Sequence, residues 1–236
     1  MPDLTGKRIL VTGAAQGLGA AIARHCAGQG ADVLLMDRDA QGLQATTADC
    51  ARARAVQVDL SDADATARAI ADLVTAPVDV LVHNAAILKV EPVEAVTLAT
   101  FQATLNVGLQ AGFQLTQALW PAMRARGGTL IFVSSRSGIE GFHSETAYCA
   151  AKHALEGFSK CLAMEGEAHG IASHTITPGM AMHTPMSETN YTPELRAKWV
   201  DPIRLAPAFA WLSATPRMAL SGQRLNAWDL SMEHPE

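Results

Sequence analysis

Three residues that could move a proton stand at short intervals in the middle of the chain. Ser135 precedes Tyr148 by thirteen positions, and Lys152 follows Tyr148 by four. In a helix, residues four apart project from one face. A free tyrosine has a pKa of about 10 and is a poor base near neutrality, but an ammonium group one turn away favours the phenolate. The spacing indicates an acid–base site in which Lys152 lowers the pKa of Tyr148.

The pair Tyr148 and Lys152 also has an ordinary interpretation. A helix surface produces Tyr-x-x-x-Lys by chance, as a solvated lysine beside a packed tyrosine. The elements that would position these side chains therefore have to be considered.

Short β-branched runs alternate with longer Ala-rich amphipathic stretches, a pattern typical of a parallel sheet covered by helices. We predict a single doubly wound Rossmann-type α/β domain over residues 1–236, with a mostly parallel seven-stranded sheet. The predicted strands are Arg8–Thr12, Asp32–Met36, Ala55–Val58, Val78–His83, Gly128–Ser134, Ala172–Thr177 and Arg224–Ala227. The predicted helices are Gly17–Gln29, Ala40–Cys50, Ala63–Val74, Thr97–Arg126, Thr146–His169 and Pro202–Ser213.

The segment Met182–Asp201 interrupts this alternation. It contains two prolines, mixes polar with apolar residues and is followed by a third proline, Pro202. We predict a flexible substrate lid at about residues 182–201, in preference to an inert connection.

Residues with binding chemistry follow six of the predicted strands. In an open parallel sheet, ligands bind at the carboxyl ends of the strands, so these residues are expected to meet. They are Gly13, Asp37, Asp59, Asn84, Ser135 and the pair Pro178–Gly179.

The first of these positions opens the turn Gly13-x-x-x-Gly17-x-Gly19 before a predicted helix. Glycines let a backbone approach a pyrophosphate, and the helix N-terminus presents free N–H groups and a positive dipole end. The turn predicts dinucleotide binding. The residues of this turn and of the strand ends that we predict to bind the cofactor are Gly13, Gln16, Gly17, Leu18, Gly19, Asp37, Asp59, Asn84, Pro178 and Gly179.

Taken together, these motifs resemble the short-chain dehydrogenase/reductase family over nearly the whole chain. The resemblance rests on the glycine-rich turn, Asp59, Asn84–Ala85, Asn106, Ser135, Tyr148-x-x-x-Lys152 and Pro178–Gly179. It implies an enzyme that interconverts a secondary alcohol and a ketone by hydride transfer to or from C4 of a nicotinamide. It also implies roles for four catalytic residues: Tyr148 as acid/base, Lys152 as the group that lowers its pKa and holds the ribose, Ser135 as the partner of the substrate oxygen, and Asn106 as the anchor of a relay water. It further implies that the cofactor is bound by Leu60, Ala85, Tyr148 and Lys152.

The chain departs from the family pattern in several places. His83 and Ala86 replace the usual Asn and Gly around Asn84, and we interpret His83 as packed or hydrogen-bonded locally. The Thr expected after Gly179 comes one residue late, at Thr184, and Asn226-Ala-Trp-Asp229 stands where the family has Asp-Gly-Gly. Asn106 lies within a predicted long helix, where it could also cap a kink.

The predicted cofactor is NAD. Asp37 follows the second strand, where a carboxylate accepts hydrogen bonds from the adenosine ribose and repels a 2′-phosphate. Gln16 replaces the basic residue that NADP-preferring relatives often carry. Arg38 is the competing signal, since a guanidinium could bind that phosphate; we predict that it pairs locally or lies over the adenine.

Composition and residue spacing argue against a nucleic-acid-binding, membrane-spanning, disulfide-bonded or metal-binding protein. A net charge of −5 without a basic run argues against nucleic acid as a partner. The start lacks the apolar core of a signal peptide, and no apolar run approaches membrane-spanning length. The four cysteines form no Cys-x-x-Cys pair and the eight histidines lack ligand spacing, so we expect a reduced, cytoplasmic protein without a metal.

Two functions remain open at this stage. The first is an active dehydrogenase; the second is a catalytically silent dinucleotide-binding sensor or structural subunit, which would be expected to have lost Tyr148, Lys152 or Ser135. The resemblance implies a homotetramer or homodimer. The identity of the alcohol or ketone is left open, with Ile139, Phe142, His143, Met182, Met186, Tyr191 and Trp199 as candidate pocket residues.

Overall fold

A computed structural model describes residues 2–235 and contains one seven-stranded parallel sheet in the order β3-β2-β1-β4-β5-β6-β7. The strands are β1 Arg8–Thr12, β2 Asp32–Asp37, β3 Ala53–Gln57, β4 Val80–His83, β5 Gly128–Val133, β6 Ile171–Thr177 and β7 Arg224–Asn226. Strand order reverses between β1 and β4, which is the point where open α/β sheets bind ligands. The predicted sheet is thereby confirmed, with boundaries shifted by one or two residues.

Helices cover both faces of the sheet. They are α1 Gly17–Gly28, α2 Ala40–Ala48, α3 Ala63–Leu73, α4 Leu98–Leu105, α5 Ala111–Arg126, α6 Thr146–Gly166, α7 Pro185–Asn190, α8 Ala206–Ala214 and α9 Ala227–Glu233. Successive strand residues point to opposite faces. Ile9 and Val11 therefore pack in the cluster under α1 and α8, whereas Leu10 packs in the cluster under α3, α5 and α6. None of the described helices is long and apolar enough to cross a membrane.

The predicted helix Thr97–Arg126 is not continuous. A π-helical turn at Asn106–Gln110 separates α4 from α5. The turn faces His83, whose Nε2 lies 3.2 Å from the carbonyl oxygen of Gly108. A Cβ at Gly112 would lie 3.0 Å from the same ring. The prediction of one regular helix was wrong, because the spacing of apolar residues in this segment does not reveal its contact with β4. Such π-turns occur often at functional sites.

The segment at residues 182–201 carries more regular structure than predicted. It contains α7, a 3₁₀ segment at Pro193–Lys198 and a parallel bridge between Met182 and Val200. Thr184 caps α7 by accepting a hydrogen bond from the amide of Ser187 at 3.1 Å. Helix α9 was also not predicted; there Asn226 accepts from the amide of Trp228 at 3.0 Å.

Candidate active site

The carboxyl ends of the strands open into a cleft of about 620 Å³. Its wall contains residues that follow strands β1 to β6, as expected for the carboxyl ends of parallel strands. They are Gly13, Asp37, Asp59, Leu60, Asn84, Ala85, Ser135, Pro178 and Gly179. Tyr148 and Lys152 of α6 line the same cleft. The structure thus brings most of the predicted site residues together.

The glycine-rich turn between β1 and α1 forms one end of the cleft. Gly13, Gln16, Gly17 and Leu18 line it. Gln16 is the N-cap residue of α1, and its side chain accepts no hydrogen bond from the first turn. The first amides of α1 are therefore left for another acceptor, and an anion is favoured there by the helix dipole.

Gly19 lies where α1 packs against the glycine-rich turn. It does not contribute to the described wall of the cleft. A Cβ at this position would collide with the carbonyl oxygen of Gly13 and lie 2.7 Å from Nδ2 of Asn84. Glycine is therefore needed here for packing, and its predicted cofactor contact stays a prediction.

Two carboxylates follow β2 and β3 at this end of the cleft. Oδ2 of Asp37 accepts a hydrogen bond from the amide of Ala15 at 3.0 Å, which ties the carboxylate to the glycine-rich turn. Asp59 accepts from the amide of Ser61 at 2.9 Å. Hydrogen bonds from Ser61, and to a lesser degree the charge of Arg38, lower the pKa of Asp59. Both carboxylates are held in place before any ligand arrives.

Between the two halves of the cleft, His83 forms a buried network. The hydroxyl oxygen of Thr12 accepts from the amides of Asn84 and Ala85 at 3.1 Å each and lies 3.0 Å from Nδ1 of His83. The hydroxyl hydrogen therefore points to Nδ1, and Nε2–H donates to Gly108. Burial, with a smaller contribution from the charge of Lys152, lowers the pKa of His83 to about 4. The local structural role predicted for this residue is the one observed.

Tyr148 and Lys152 project from the first turns of α6. Nζ of Lys152 lies 5.4 Å from the centre of the Tyr148 ring and donates to the carbonyl oxygen of Val133 at 2.6 Å. Lys152 is 2 % exposed, and burial lowers its pKa to about 8. The charge of Glu156, one turn further along, acts in the opposite direction. A buried ammonium group is thereby held next to the tyrosine ring.

The pKa of Tyr148 differs from the prediction. Burial in the cleft wall raises it above the ordinary value, and Tyr191 and Glu145 act in the same direction. A hydrogen bond with Ser135 opposes the rise. Lys152 is not among the causes of the shift. The lowering of the Tyr148 pKa that was expected from Lys152 is therefore not observed, and desolvation of the phenolate sets the direction of the shift.

Asn106 is positioned at the first residue of the π-turn. Its Nδ2 donates to the carbonyl oxygen of Ser61 at 2.8 Å, and its Oδ1 lies 3.5 Å from Nε2 of Gln102. Within the described cleft wall, the neighbouring Val107 takes part but Asn106 does not. The side chain thus joins the π-turn to the segment after β3, which matches the alternative of an asparagine at a kink.

The other end of the cleft is the candidate substrate pocket. Five of the seven candidates line it: Phe142, Met182, Met186, Tyr191 and Trp199. Ile139 and His143 are exposed outside it. Sequence analysis missed Ser137 and Glu145. Glu145 lies three residues before Tyr148, and this helical spacing was a signal that could have identified it.

The turn after β6 is locked to the last strand. Asn226 lies against Gly179, where a Cβ would come within 2.7 Å of its side-chain carbon Cγ. Gly179 has a φ of 79°, a conformation that glycine adopts without strain. The late Thr184 also lines the cleft, and its methyl group would lie 3.3 Å from a Cβ at Gly17. It thus approaches the glycine-rich turn.

The chain matches the sequence profile of the short chain dehydrogenases over residues 7–194. It is 35% identical to L-xylulose reductase from Mus musculus over 197 residues, which covers 83% of this chain and 80% of that protein. It is 36% identical to D-threitol dehydrogenase from Mycolicibacterium smegmatis over 187 residues, or 76% of this chain and 72% of that protein.

Solved structures agree with this grouping. A protein from Beutenbergia cavernae, described as an NAD(P)-dependent gluconate 5-dehydrogenase with bound NADP at low occupancy, superposes with a TM-score of 0.87 and 30% identity over 96% of this chain and 98% of its own. A blue fluorescent protein from a metagenomic library in complex with NADPH superposes with a TM-score of 0.85 and 32% identity, over 95% of this chain and 97% of its own. This chain therefore belongs to the short-chain dehydrogenase/reductase family.

Proposed function

We propose that this protein is an NAD-dependent oxidoreductase that interconverts a secondary alcohol and a ketone, with Tyr148 as acid/base. The observation that carries the proposal is the arrangement of the cleft. Ser135, Tyr148 and Lys152 line its middle, and the glycine-rich turn with Asp37 forms one end. A proton-transfer site next to a dinucleotide cradle is what hydride transfer to or from a carbonyl requires.

The residues at the glycine-rich end fit a nicotinamide dinucleotide. The free amides of α1 suit a pyrophosphate, and Asp37 suits a ribose. A bound dinucleotide supplies a hydride donor or acceptor at C4 of its nicotinamide. We propose all the predicted cofactor residues for this contact; Gly19 in addition allows α1 to pack against the turn.

The proton is handled by the chain itself. In alcohol oxidation, Ser135 holds the substrate oxygen and the Tyr148 phenolate takes the hydroxyl proton; in ketone reduction, the Tyr148 hydroxyl returns it. Because burial raises the pKa of Tyr148, alcohol oxidation is expected to become faster as pH rises. The predicted role of Lys152 in stabilising the phenolate is kept as part of the proposal, because its Nζ lies 5.4 Å from the centre of the Tyr148 ring. We propose that Asn106 anchors the relay water through its main chain, since its side chain is hydrogen-bonded to Ser61.

NAD is proposed in preference to NADP because the Asp37 carboxylate would repel a 2′-phosphate. Two of the similar structures contain NADP or NADPH, so proteins of this fold can accept the 2′-phosphate. Arg38 also lines the cleft, and the proposal keeps its predicted role in local pairing or over the adenine.

The relatives suggest the substrate class. L-xylulose reductase and D-threitol dehydrogenase are named for a ketose and a polyol. We propose a small polyol and its ketose for this chain. We also propose one catalytic domain whose segment at residues 182–201 acts as the substrate lid, in a cytoplasmic homotetramer or homodimer. Neither nucleic acid nor a membrane is proposed as a partner.

A substrate panel with both cofactors tests the proposed function. Polyols, cyclic alcohols, hydroxy acids and acyl thioesters would be assayed by formation or loss of reduced nicotinamide. Tyr148→Phe, which removes the transferable proton but little contact area, is expected to lower kcat by about 100- to 10,000-fold while cofactor binding persists. A wild-type protein that binds NAD but turns over no substrate would favour the sensor or structural-subunit alternative.

A further inference from the structure

A buried carboxylate lies in the substrate end of the cleft. Glu145 lines the cleft and is 5 % exposed. Its Oε2 accepts a hydrogen bond from Oγ of Ser137 at 2.9 Å. Burial, followed by the charge of Glu145 and a hydrogen bond with it, raises the pKa of Tyr191, a residue of the segment at residues 182–201. Charged groups are rarely buried in this way without a compensating partner.

The position of Glu145 in α6 does not by itself explain the burial. Glu145 is the N-cap residue, but its side chain makes no capping hydrogen bond. No ion pair to it is found among residues 2–235. Four cationic residues line the cleft, namely Arg38, Arg136, Lys152 and Lys198. Arg136 pairs with Glu140 at 2.7 Å and Lys152 donates to Val133. The contacts that the described residues give the carboxylate are therefore with the hydroxyl groups of Ser137 and Tyr191.

The chemistry of such a group is selective. An ionised carboxylate only accepts hydrogen bonds, so it favours a ligand that brings further donors. It repels a ligand that carries a second negative charge nearby. The charge of Glu145 is felt at the Tyr148 hydroxyl, so the carboxylate lies close to the reacting end of a substrate.

We propose that Glu145, together with Ser137 and Tyr191, forms a subsite that binds a second hydroxyl group of a neutral polyol and excludes substrates bearing a carboxylate. This inference rests on the proposed function and narrows it. The similar structure described as a gluconate 5-dehydrogenase is named for an anionic substrate, whereas the substrate proposed for this chain is an uncharged polyol. Tyr191 brings the segment at residues 182–201 into the same subsite.

A matched pair of substrates tests the subsite. D-glucitol and D-gluconate differ at C1 by an alcohol in place of a carboxylate. The wild type is expected to use glucitol with a kcat/KM at least tenfold higher than gluconate, because like charges at a partly buried site repel. Glu145→Gln, of nearly the same shape, should reduce that ratio at least tenfold. Glu145→Asp should keep it, as should Glu165→Gln, which removes the same charge from an exposed position of α6.

The outcomes separate the two proposals. Turnover with equal or better use of gluconate by the wild type overturns the subsite, whether or not the variants fold, and so does an unchanged ratio in Glu145→Gln. Calorimetric titration of both compounds into the NAD-saturated protein gives a second measurement, independent of turnover. Selective glucitol binding without turnover would overturn the proposed function and support the subsite; equal binding of the two compounds would overturn the subsite.

Discussion

The carboxylate of Glu156 in α6 lies 3.2 Å from Nε of Arg224 in β7, 68 residues away in the sequence. Glu156 also accepts hydrogen bonds from Ser134 and from Oγ1 of Thr175, the latter at 2.7 Å. Nη2 of Arg224 in turn donates to the carbonyl oxygen of Ser135 at 3.0 Å. The helix that carries Tyr148 and the strand end that carries Ser135 are thus joined behind the cleft by one buried polar network.

Glu156→Gln is expected to destabilise the protein by about 1–3 kcal/mol, because Arg224 loses its charged partner and the acceptor pattern is disturbed. It should also move the alkaline limit of alcohol oxidation to lower pH, since Glu156 raises the pKa of Lys152. Urea unfolding and the pH dependence of kcat measure the two effects. Glu165→Gln, exposed on the same helix, serves as the control and should change stability by less than about 0.5 kcal/mol. Identical behaviour of the two variants would contradict the prediction.

Lys152→Met should lower kcat/KM by about 100-fold or more while leaving the fold intact. A lysine with its pKa lowered from 10.5 to about 8 disfavours the folded state below pH 8, and this cost fades as pH rises from 8 to 10.5. The variant is therefore expected to be at least as stable as the wild type at pH 7, and to lose that advantage by pH 10. Thermal melts at the two pH values check this; an inactive variant that is also unfolded at pH 7 would refute it.

Asp37 should determine the cofactor preference. The wild type is expected to favour NAD by about 100-fold in kcat/KM, and Asp37→Asn should reduce that factor to less than about ten, mainly through a lower KM for NADP. Asp32→Asn is a matched control, because Asp32 is at the opposite end of β2 and pairs with Arg52. Equal use of both cofactors by the wild type would indicate that Arg38 governs the ribose site.

His83 should make the fold sensitive to acid. Its pKa is lowered from 6.5 to about 4, so it contributes stability above pH 6.5 that is lost as pH falls through 4. The shift corresponds to about 3 kcal/mol. In His83→Asn, which cannot titrate, the free energy of unfolding should fall less steeply between pH 6.5 and 4. Parallel curves for the two proteins would show that the histidine does not titrate as described.

The proposed oligomer predicts a particle of four or two times the 24.9 kDa chain mass. Exposed apolar side chains on the outer helices, Leu98 of α4, Phe113 of α5 and Met164 of α6, would be covered by a second copy. Light scattering at micromolar concentration measures the mass, and Phe113→Asp should lower it. A wild-type monomer would exclude the homotetramer and the homodimer alike.

Sequence patterns were sufficient for the sheet and for most of the cleft. The strands are short apolar runs, and their carboxyl ends share one edge, so Asp37, Asn84 and Ser135 could be assigned to one site. The catalytic spacing in α6 is equally local.

Features that depend on contacts distant in sequence were missed. The π-turn follows from the contact between His83 and Gly108, and Gly19 acts through its packing against Gly13. Glu145 interacts with Tyr191, a residue distant in sequence, as well as with Ser137. The pKa of Tyr148 rises because the cleft walls exclude water. The spacing of residues in the sequence does not show how far a side chain will be removed from water.

The hydrogen bond between Thr12 and His83 spans 71 positions of the chain and joins β1 to β4. During synthesis, the glycine-rich turn therefore emerges well before the strand on which it rests. Nascent chains that end before His83 have the residues for phosphate contact but lack the neighbouring strand that fixes the turn, and such contacts between distant positions form late in folding. We expect them not to retain a dinucleotide, whereas chains extended beyond β4 begin to do so.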